Sequence, residues 1–308
     1  MEKSRNMHRL KRRWAIEREM WLWAVIPVMW ALVFCYAPMY GLVISFTKYT
    51  PGQIIGSGDW VGLKYFRQFF SNPDFPMLLR NTFVISFLNI LFGFPAPIIL
   101  ALLLNELRGG PFKKFMQTAY YLPHFISWVV TASLFFSLLS SEGVVNTILI
   151  KLGVIDSGVN YLGKGSYFWT IITVANIWKG MGWSSILYLS AIAGVDEELY
   201  QAGAVDGLGR LGMVVHITLP GILSTIALMF ILRIGDILNA GFEQQLLLGT
   251  EQTRSYYEVI DTFAYRYGIQ LGRYSFGTAV ALVKSVCSLM LVFLANTLVR
   301  KMTDLSLL

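Results

Sequence analysis

The sequence predicts an all-α integral membrane protein with six transmembrane helices. Of its 308 residues, 55% are hydrophobic and only 14% are charged, with a mean hydropathy of +0.56. Soluble domains carry about 25% charged residues, so this composition excludes that class. A bilayer core about 30 Å thick needs about 20 apolar residues per helix. We expect helices because a helix satisfies its own backbone polar groups in lipid.

Six charge-poor runs have the required length. They cover residues 20–47, 81–105, 115–140, 167–194, 221–242 and 274–299. The first three contain no charge, the fourth contains Lys179, the fifth Arg233 and Asp236, and the sixth Lys284. The connections between the runs are too short for separate globular domains. The sequence therefore predicts a basic N-terminal segment, residues 1–19, and one transmembrane domain, residues 20–308.

Basic residues set the predicted orientation. The first nineteen positions hold seven of them: Lys3, Arg5, Arg9, Lys11, Arg12, Arg13 and Arg18. The positive-inside rule keeps such a cluster in the cytoplasm, and six spans return the C-terminus to the same side. The net charge of +7 is explained by this signal and by attraction to anionic lipid headgroups, so we expect no nucleic-acid partner.

The most patterned polar segment lies between the fourth and fifth predicted spans, which places it in the cytoplasm. It reads Glu198-Leu-Tyr-Gln-Ala-Gly-Ala-Val-Asp-Gly207 and is followed by Ile217-Thr-Leu-Pro220. The acidic residues at its start favour a helix N-terminus through the helix dipole. Asp206-Gly207 is a turn signal, because glycine tolerates a positive φ. The pattern predicts two short helices joined by a turn, the second over residues 210–219.

This segment resembles the EAA loop of binding-protein-dependent ATP-binding cassette (ABC) importers. Residues 62–66, 81–82 and 122–124 resemble maltose-type permeases of the carbohydrate-uptake class, and residues 232–244 resemble the branch that imports complex oligosaccharides and polysaccharides. Together the resemblance covers about residues 60–300. It implies the type I ABC importer permease (MetI-like) fold in a bacterial inner membrane, with both termini cytoplasmic.

The resemblance also implies that the loop at residues 195–220 couples the chain to an ATPase. The matching positions are Tyr200, Gln201, Ala202, Gly203, Asp206, Gly207 and Pro220. Gln201 and Gly203 replace the acidic residue and the second alanine of the family pattern. We therefore expect docking to depend on shape, with weaker charge complementarity.

Further partners follow from the same resemblance. It implies a second, different permease subunit, two ABC ATPase subunits, an extracellular solute-binding protein, an oligosaccharide substrate and membrane lipids. The chain itself is expected to be non-catalytic and to hold no cofactor or metal, with ATP and magnesium bound by the ATPase subunits. Its near P-loop, residues 158–165, has glycine at position 165 where the motif needs Ser or Thr, and no histidine, cysteine or carboxylate cluster has metal spacing.

Polar residues inside the predicted spans mark a candidate substrate pathway, because charge in hydrocarbon normally faces a cavity or a partner. Asn176, Lys179, Gly180 and Trp183 share one helical face, and amide, ammonium and indole groups suit a sugar. Arg233, Asp236 and Asn239 step by three residues on the fifth span. The alternatives are that Lys179 lies near the headgroups, that Trp183 only packs, and that Arg233 and Asp236 form a structural ion pair.

Three other functions stay open on the sequence alone. The same importer architecture also serves peptides and phosphate compounds. A membrane enzyme acting on lipid-linked sugars would need a convergent acid/base or metal set, which the sequence does not offer. A non-transporting scaffold would not require the EAA-like loop.

Overall fold

A computed structural model describes residues 20–303, with side chains to residue 297. The predicted basic segment, residues 1–19, and the last five residues lie outside the described residues, so the domain boundary at residue 19 stays a prediction. The described residues are helical and contain no strand beyond one isolated bridge between Thr47 and Trp60. The predicted all-α class is confirmed.

The helices alternate with short connections along the whole described chain. They are α1 (Met20–Phe46), α2 (Lys64–Phe70), α3 (Phe75–Glu106), α4 (Pro111–Phe125), α5 (Trp128–Leu139), α6 (Val144–Lys151), α7 (Gly165–Ala193), α8 (Glu197–Val205), α9 (Arg210–Gly221), α10 (Leu223–Gly235), α11 (Glu243–Leu248), α12 (Arg254–Tyr257), α13 (Ile260–Tyr265) and α14 (Tyr274–Thr303).

Among these residues, four helical stretches are long and apolar enough to cross a membrane: α1, α3, the stretch Trp128–Lys151 that joins α5 and α6, and α14. A fifth results if α9 and α10, which meet at an angle of 63°, form one bent span. The predicted fourth span is the 29-residue α7, which carries the polar groups described below. The count of six spans therefore stays a prediction.

The third predicted span is not one helix, which corrects the continuous run expected over residues 115–140. It is divided into α4 and α5 at Ile126 and Ser127, whose backbone is extended with ψ of 133° and 155°. Pro123 lies in the last turn of α4, where it removes a backbone donor and disfavours further helix. The hydroxyl of Ser127 then accepts a hydrogen bond from the backbone N–H of Val130 at 3.3 Å and caps the start of α5.

The fifth span also ends earlier than the predicted residue 242. Helix α10 stops at Gly235, and the chain turns through residues 236–239. A Cβ on Gly235 would lie 2.4 Å from a methyl group of Val292, so this glycine permits close packing of α10 on α14. The hydroxyl of Ser86 on α3 donates to the carbonyl oxygen of Ile237, and this bond holds the turn after α10 against α3.

The core is built around α3 and α7, and different segments pack at their two ends. Ile85 and Phe168, in their first halves, belong to a buried cluster with residues of the segment between α10 and α14. Ile98 and Tyr188, in their second halves, pack instead with Ile222 at the end of the α8–α9 loop. The long connection between α10 and α14 and the α8–α9 loop therefore lie at opposite ends of the α3–α7 pair, as the predicted topology requires. Which end faces the cytoplasm stays a prediction.

A buried carboxylate holds the connection between α10 and α14 together. Glu258 is 1% exposed, and its oxygens accept hydrogen bonds from Nε of Arg254 at 3.1 Å and Nε of Arg266 at 2.5 Å. Burial alone would lower the pKa of Arg266, but hydrogen bonding and attraction to Glu258 raise it above its ordinary value. The side-chain amide of Asn81 on α3 donates to the Glu258 carbonyl oxygen at 2.9 Å, which ties this connection to the membrane helices.

Candidate functional site

A cavity of about 730 Å³ lies between α3, α7 and the turn that follows α10. Six of the seven predicted pathway residues line it: Asn176, Gly180, Trp183, Arg233, Asp236 and Asn239. Two helices that are far apart in the sequence therefore bring their polar residues to one space. Its volume falls in the range of about 300–1,000 Å³ that is typical of ligand pockets.

The wall formed by α3 adds an amide that sequence reasoning missed. Asn89 lines the cavity, and its Oδ1 atom accepts a hydrogen bond from Nδ2 of Asn176 at 3.4 Å. Its own Nδ2 donates to the carbonyl oxygen of Ile85 at 3.0 Å, where the helix widens into a π-turn. The available signal was an amide in the middle of a charge-free apolar run, which is costly in lipid unless it faces a partner or a cavity.

Trp183 combines packing with access to the cavity. One face of its indole ring stacks on His124, with ring centroids 4.5 Å apart and an interplanar angle of 5°. The side chain is nevertheless 48% exposed and lines the cavity. The predicted aromatic surface exists, but one of its two faces is already covered by a histidine that the sequence did not connect to it.

Lys179 is the predicted pathway residue that the structure places elsewhere. Its Nζ atom donates to the carbonyl oxygens of Pro123 at 3.3 Å, of His124 at 3.0 Å and of Ile126. It also lies 5.5 Å from the ring centre of Trp128. The backbone of Lys179 stays on the shared helical face, but its flexible stem carries the ammonium group away to the carbonyl groups that are freed where α4 ends. A cation is favourable at that position, the negative end of a helix dipole.

Arg233, Asp236 and Asn239 do not pair as a single set. Nδ2 of Asn239 donates to Oδ1 of Asp236 at 3.1 Å, but the described residues show no ion pair between Arg233 and Asp236. Asp236 is the C-cap residue of α10, and its N–H still donates to the carbonyl oxygen of Leu232 at 3.2 Å. Its carboxylate is hydrogen-bonded instead by Asn239, in the turn that follows.

The predicted coupling loop forms the expected pair of helices. The carboxylate of Asp196 accepts from the N–H of Glu198 at 3.0 Å and caps α8. At the other end the N–H groups of Leu208 and Gly207 donate to the carbonyl oxygens of Gly203 at 2.9 Å and Ala204 at 3.2 Å. This is a Schellman ending, and Gly207 has the positive φ of 78° that it requires.

Helices α8 and α9 are packed into one unit. Gly203 is buried, and a Cβ at this position would lie 2.7 Å from a methyl group of Ile217, so glycine allows a close approach here. The hydroxyl groups of Tyr200 and Thr218 are hydrogen-bonded at 3.0 Å. Pro220 lies in the last turn of α9, just before the bend into α10.

The outer surface of this unit is free to meet a partner. Gln201, Ala202 and Asp206 are exposed. Two large apolar side chains nearby are also in solvent, Val205 at 88% and Leu211 at 81% exposure. Sequence reasoning missed these two residues. The available signal was that neither follows the apolar spacing of a buried helix face.

Metal ligation finds no support in the described part of the chain. No three histidine, cysteine or acidic side chains come together there in a way that could hold a metal ion. The site is instead a set of amides, one arginine, one carboxylate and an indole around a cavity, which can hydrogen-bond and stack on a polar solute. That the chain has no cofactor stays a prediction.

Membrane helices around a polar cavity, with a packed helix–turn–helix loop at one end, define a transport permease. The chain belongs to the family of binding-protein-dependent transport system inner membrane components, which it matches over residues 93–304. The predicted family and type I importer fold are confirmed.

Individual relatives match most of the chain. It is 44% identical to Protein LplB of Bacillus subtilis (strain 168), over 93% of this chain and 91% of LplB. It is 45% identical to the polygalacturonan/rhamnogalacturonan transport system permease protein YteP of the same organism, over 88% and 84%. In the crystal structure of a bacterial alginate ABC transporter in complex with an alginate pentasaccharide-bound periplasmic protein, one chain superposes with a TM-score of 0.85 at 37% identity, over 96% of this chain and all of that one.

Proposed function

We propose that this permease subunit conducts oligosaccharides across the membrane through the cavity between α3, α7 and α10. The observation that carries the proposal is the clustering of Asn89, Asn176 and Trp183 around a space of about 730 Å³ inside a membrane protein. Amides bond hydroxyl groups, and an indole packs against the apolar face of a sugar ring. YteP and the alginate transporter are both named for polysaccharides, which supports this solute class.

The α8–α9 loop is the proposed docking site for separate ATPase subunits. Those subunits would bind ATP and magnesium, and this chain would be non-catalytic. Val205 and Leu211 supply exposed apolar side chains, and removing such side chains from water against a partner is favourable. Gln201 and Asp206 supply the polar groups beside them. This assignment places the loop and both chain termini in the cytoplasm.

Two further partners belong to the proposal: a second, different permease and an extracellular solute-binding protein. A dimeric ATPase presents two grooves, whereas this chain has one loop in which Gln201 and Gly203 depart from the family pattern. We therefore expect a purified transporter to contain two distinct permeases at one-to-one stoichiometry. A functional homodimer of this chain would contradict the heterodimer and leave the importer assignment intact.

The test is to remove the cavity groups one at a time. Trp183→Ala should weaken sugar binding by about 5- to 150-fold, the equivalent of about 1–3 kcal/mol of apolar contact. Asn176→Ala should cost about 0.5–1.5 kcal/mol for one hydrogen bond. Both should keep assembly and nucleotide hydrolysis while uptake into proteoliposomes falls.

A matched control is available on the same helix. Trp178 packs edge-on against Phe135 and is absent from the cavity lining, so Trp178→Ala should leave sugar affinity unchanged in protein that assembles. Parental uptake by both cavity variants would show that the sugar passes along other helices or the partner permease.

A further inference from the structure

Arg233 differs in its surroundings from Lys179 and Lys284, the cations of the fourth and sixth predicted spans. It lines the cavity and is exposed, and it makes no hydrogen bond, ion pair or ring contact with any residue that the structure describes. Lys179 is satisfied by three carbonyl oxygens, and Lys284 by the carboxylate of Asp261, 2.6 Å away. Of these three residues, Arg233 alone lines the cavity and has no partner among the described residues.

We propose that Arg233 selects acidic oligosaccharides by binding the carboxylate of a uronic acid unit. This inference rests on the proposed function of the cavity and adds the charge of the solute to it. An arginine presents two parallel N–H donors that match the two oxygens of a carboxylate. A neutral sugar offers no such partner and leaves the guanidinium unpaired.

The neighbouring Asp236 is hydrogen-bonded to a different residue. Its Oδ1 atom accepts from Nδ2 of Asn239 at 3.1 Å, inside the turn that begins after α10. That turn is fixed on α3 by the hydroxyl of Ser86, which donates to the Ile237 carbonyl oxygen. Among the described residues no ion pair joins this carboxylate to Arg233, and its second oxygen remains to accept from a sugar hydroxyl group.

The cost of an unpaired charge explains why a ligand anion is the expected partner. Inside a membrane protein a cation without a partner is expensive, and such residues mark substrate pathways. Besides Asp236, whose carboxylate accepts from Asn239, the cavity has the neutral amides of Asn89 and Asn176 on the facing helices, which suit the hydroxyl groups of the same sugar. The arrangement thus offers one anion site beside a neutral hydrogen-bonding wall.

The experiment compares charged and uncharged forms of the same sugars. The assembled transporter in nanodiscs, without the binding protein, is titrated calorimetrically with galacturonate and alginate oligomers and with their carboxyl-reduced forms. The parent should bind at least one acidic oligomer about 10- to 100-fold more tightly than its reduced form, the range of a charge-assisted hydrogen bond. Arg233→Gln should abolish this difference by weakening the acidic sugar alone, and Arg233→Lys should restore part of it.

Other results would overturn the inference. One is equal affinity of the parent for the charged and reduced forms, and another is failure to bind any acidic oligomer. A third is loss of the partner permease from purified Arg233→Gln, because Arg233 would then pair with that subunit. The cavity itself is tested separately: if Trp183→Ala and Asn176→Ala change no affinity while Arg233→Gln does, the proposed function of the neutral wall fails and the anion site stands.

Discussion

The Nζ atom of Lys179 lies 3.0 Å from the carbonyl oxygen of His124, and the imidazole ring of the same histidine stacks on Trp183, four residues after Lys179 on α7. The broken third span is therefore attached to α7 by both the backbone and the side chain of one residue. In lipid, carbonyl groups freed by a helix break need a donor, and the half-buried Lys179 supplies three N–H donors at once.

Removing this ammonium should destabilise the protein more than it alters sugar affinity. In Lys179→Met the stem is retained, but carbonyl oxygens of Pro123, His124 and Ile126 lose their donor, at about 1–3 kcal/mol for each group left buried without one. We expect a lower midpoint of thermal unfolding in detergent, with sugar affinity unchanged in the folded fraction. Parental thermal stability together with weaker binding would return Lys179 to the substrate pathway.

Two glycines on α7 should differ in how far substitution by alanine lowers the stability of the protein. A Cβ on Gly182 would lie 1.8 Å from the carbonyl oxygen of Tyr120 on α4, whereas a Cβ on Gly180 meets nothing within 4 Å. Gly182→Ala must push the two helices apart, and overpacking of this kind costs about 1–3 kcal/mol or more. Thermal unfolding of the purified subunit should show the loss for Gly182→Ala only. A similar loss in Gly180→Ala would indicate helix packing on that face as well.

The turn of the coupling loop offers a second matched pair. Gly207 has a φ of 78°, whereas Gly209 has a φ of −74°, and neither would have a neighbour within 4 Å of an added Cβ. A left-handed backbone costs about 1–2 kcal/mol for a residue with a side chain. We therefore expect Gly207→Ala to reduce co-purification of the ATPase subunits and sugar-stimulated hydrolysis, while Gly209→Ala behaves like the parent. Equal behaviour of the two variants would argue against a rigid turn.

Glu258 should be essential to stability, although it does not line the cavity. Glu258→Gln keeps the shape of the side chain but leaves Arg254 and Arg266 without their buried carboxylate, and breaking a buried ion pair costs about 3–5 kcal/mol. Asp74 contacts the same arginines at 3.8 Å and 3.5 Å but is 35% exposed, so Asp74→Asn should cost much less. Chemical unfolding of both variants gives the comparison, and equal losses would show that the two carboxylates act as one network.

Helix positions could be predicted from the sequence wherever apolar length alone decided them. The fourth predicted span, residues 167–194, differs by two residues or fewer from α7 (Gly165–Ala193). The break at Ile126 escaped prediction because the residues around it are as apolar as those of a continuous helix. It depends on Pro123 and on a distant donor, Lys179, and neither composition nor periodicity reports such a contact.

The candidate site was predictable as a set of residues but not as a set of contacts. Polar groups in apolar runs indicated six of the cavity residues, since lipid excludes such groups unless they face a cavity. Helical spacing then failed for the ammonium group of Lys179, which its long stem carries to the end of α4. It also failed to show that Asp236 is hydrogen-bonded by Asn239 and not paired with Arg233. The stacking of His124 on Trp183 joins two helices and has no signal within either segment.

Because α9 and α10 meet at an angle of 63°, a rotation of the α8–α9 loop would displace the end of α10 that borders the cavity. Packing at Gly203 and the Tyr200–Thr218 hydrogen bond hold α8 and α9 together as one rigid unit. The 13 residues of α10 form a helix about 20 Å long at 1.5 Å per residue. Rotating α10 by about 10° about its first residue would move its last residue by roughly 3 Å. Since this is the length of one hydrogen bond, a tilt of that size would be enough to separate Arg233 from a sugar bound between α10 and α7 as proposed above.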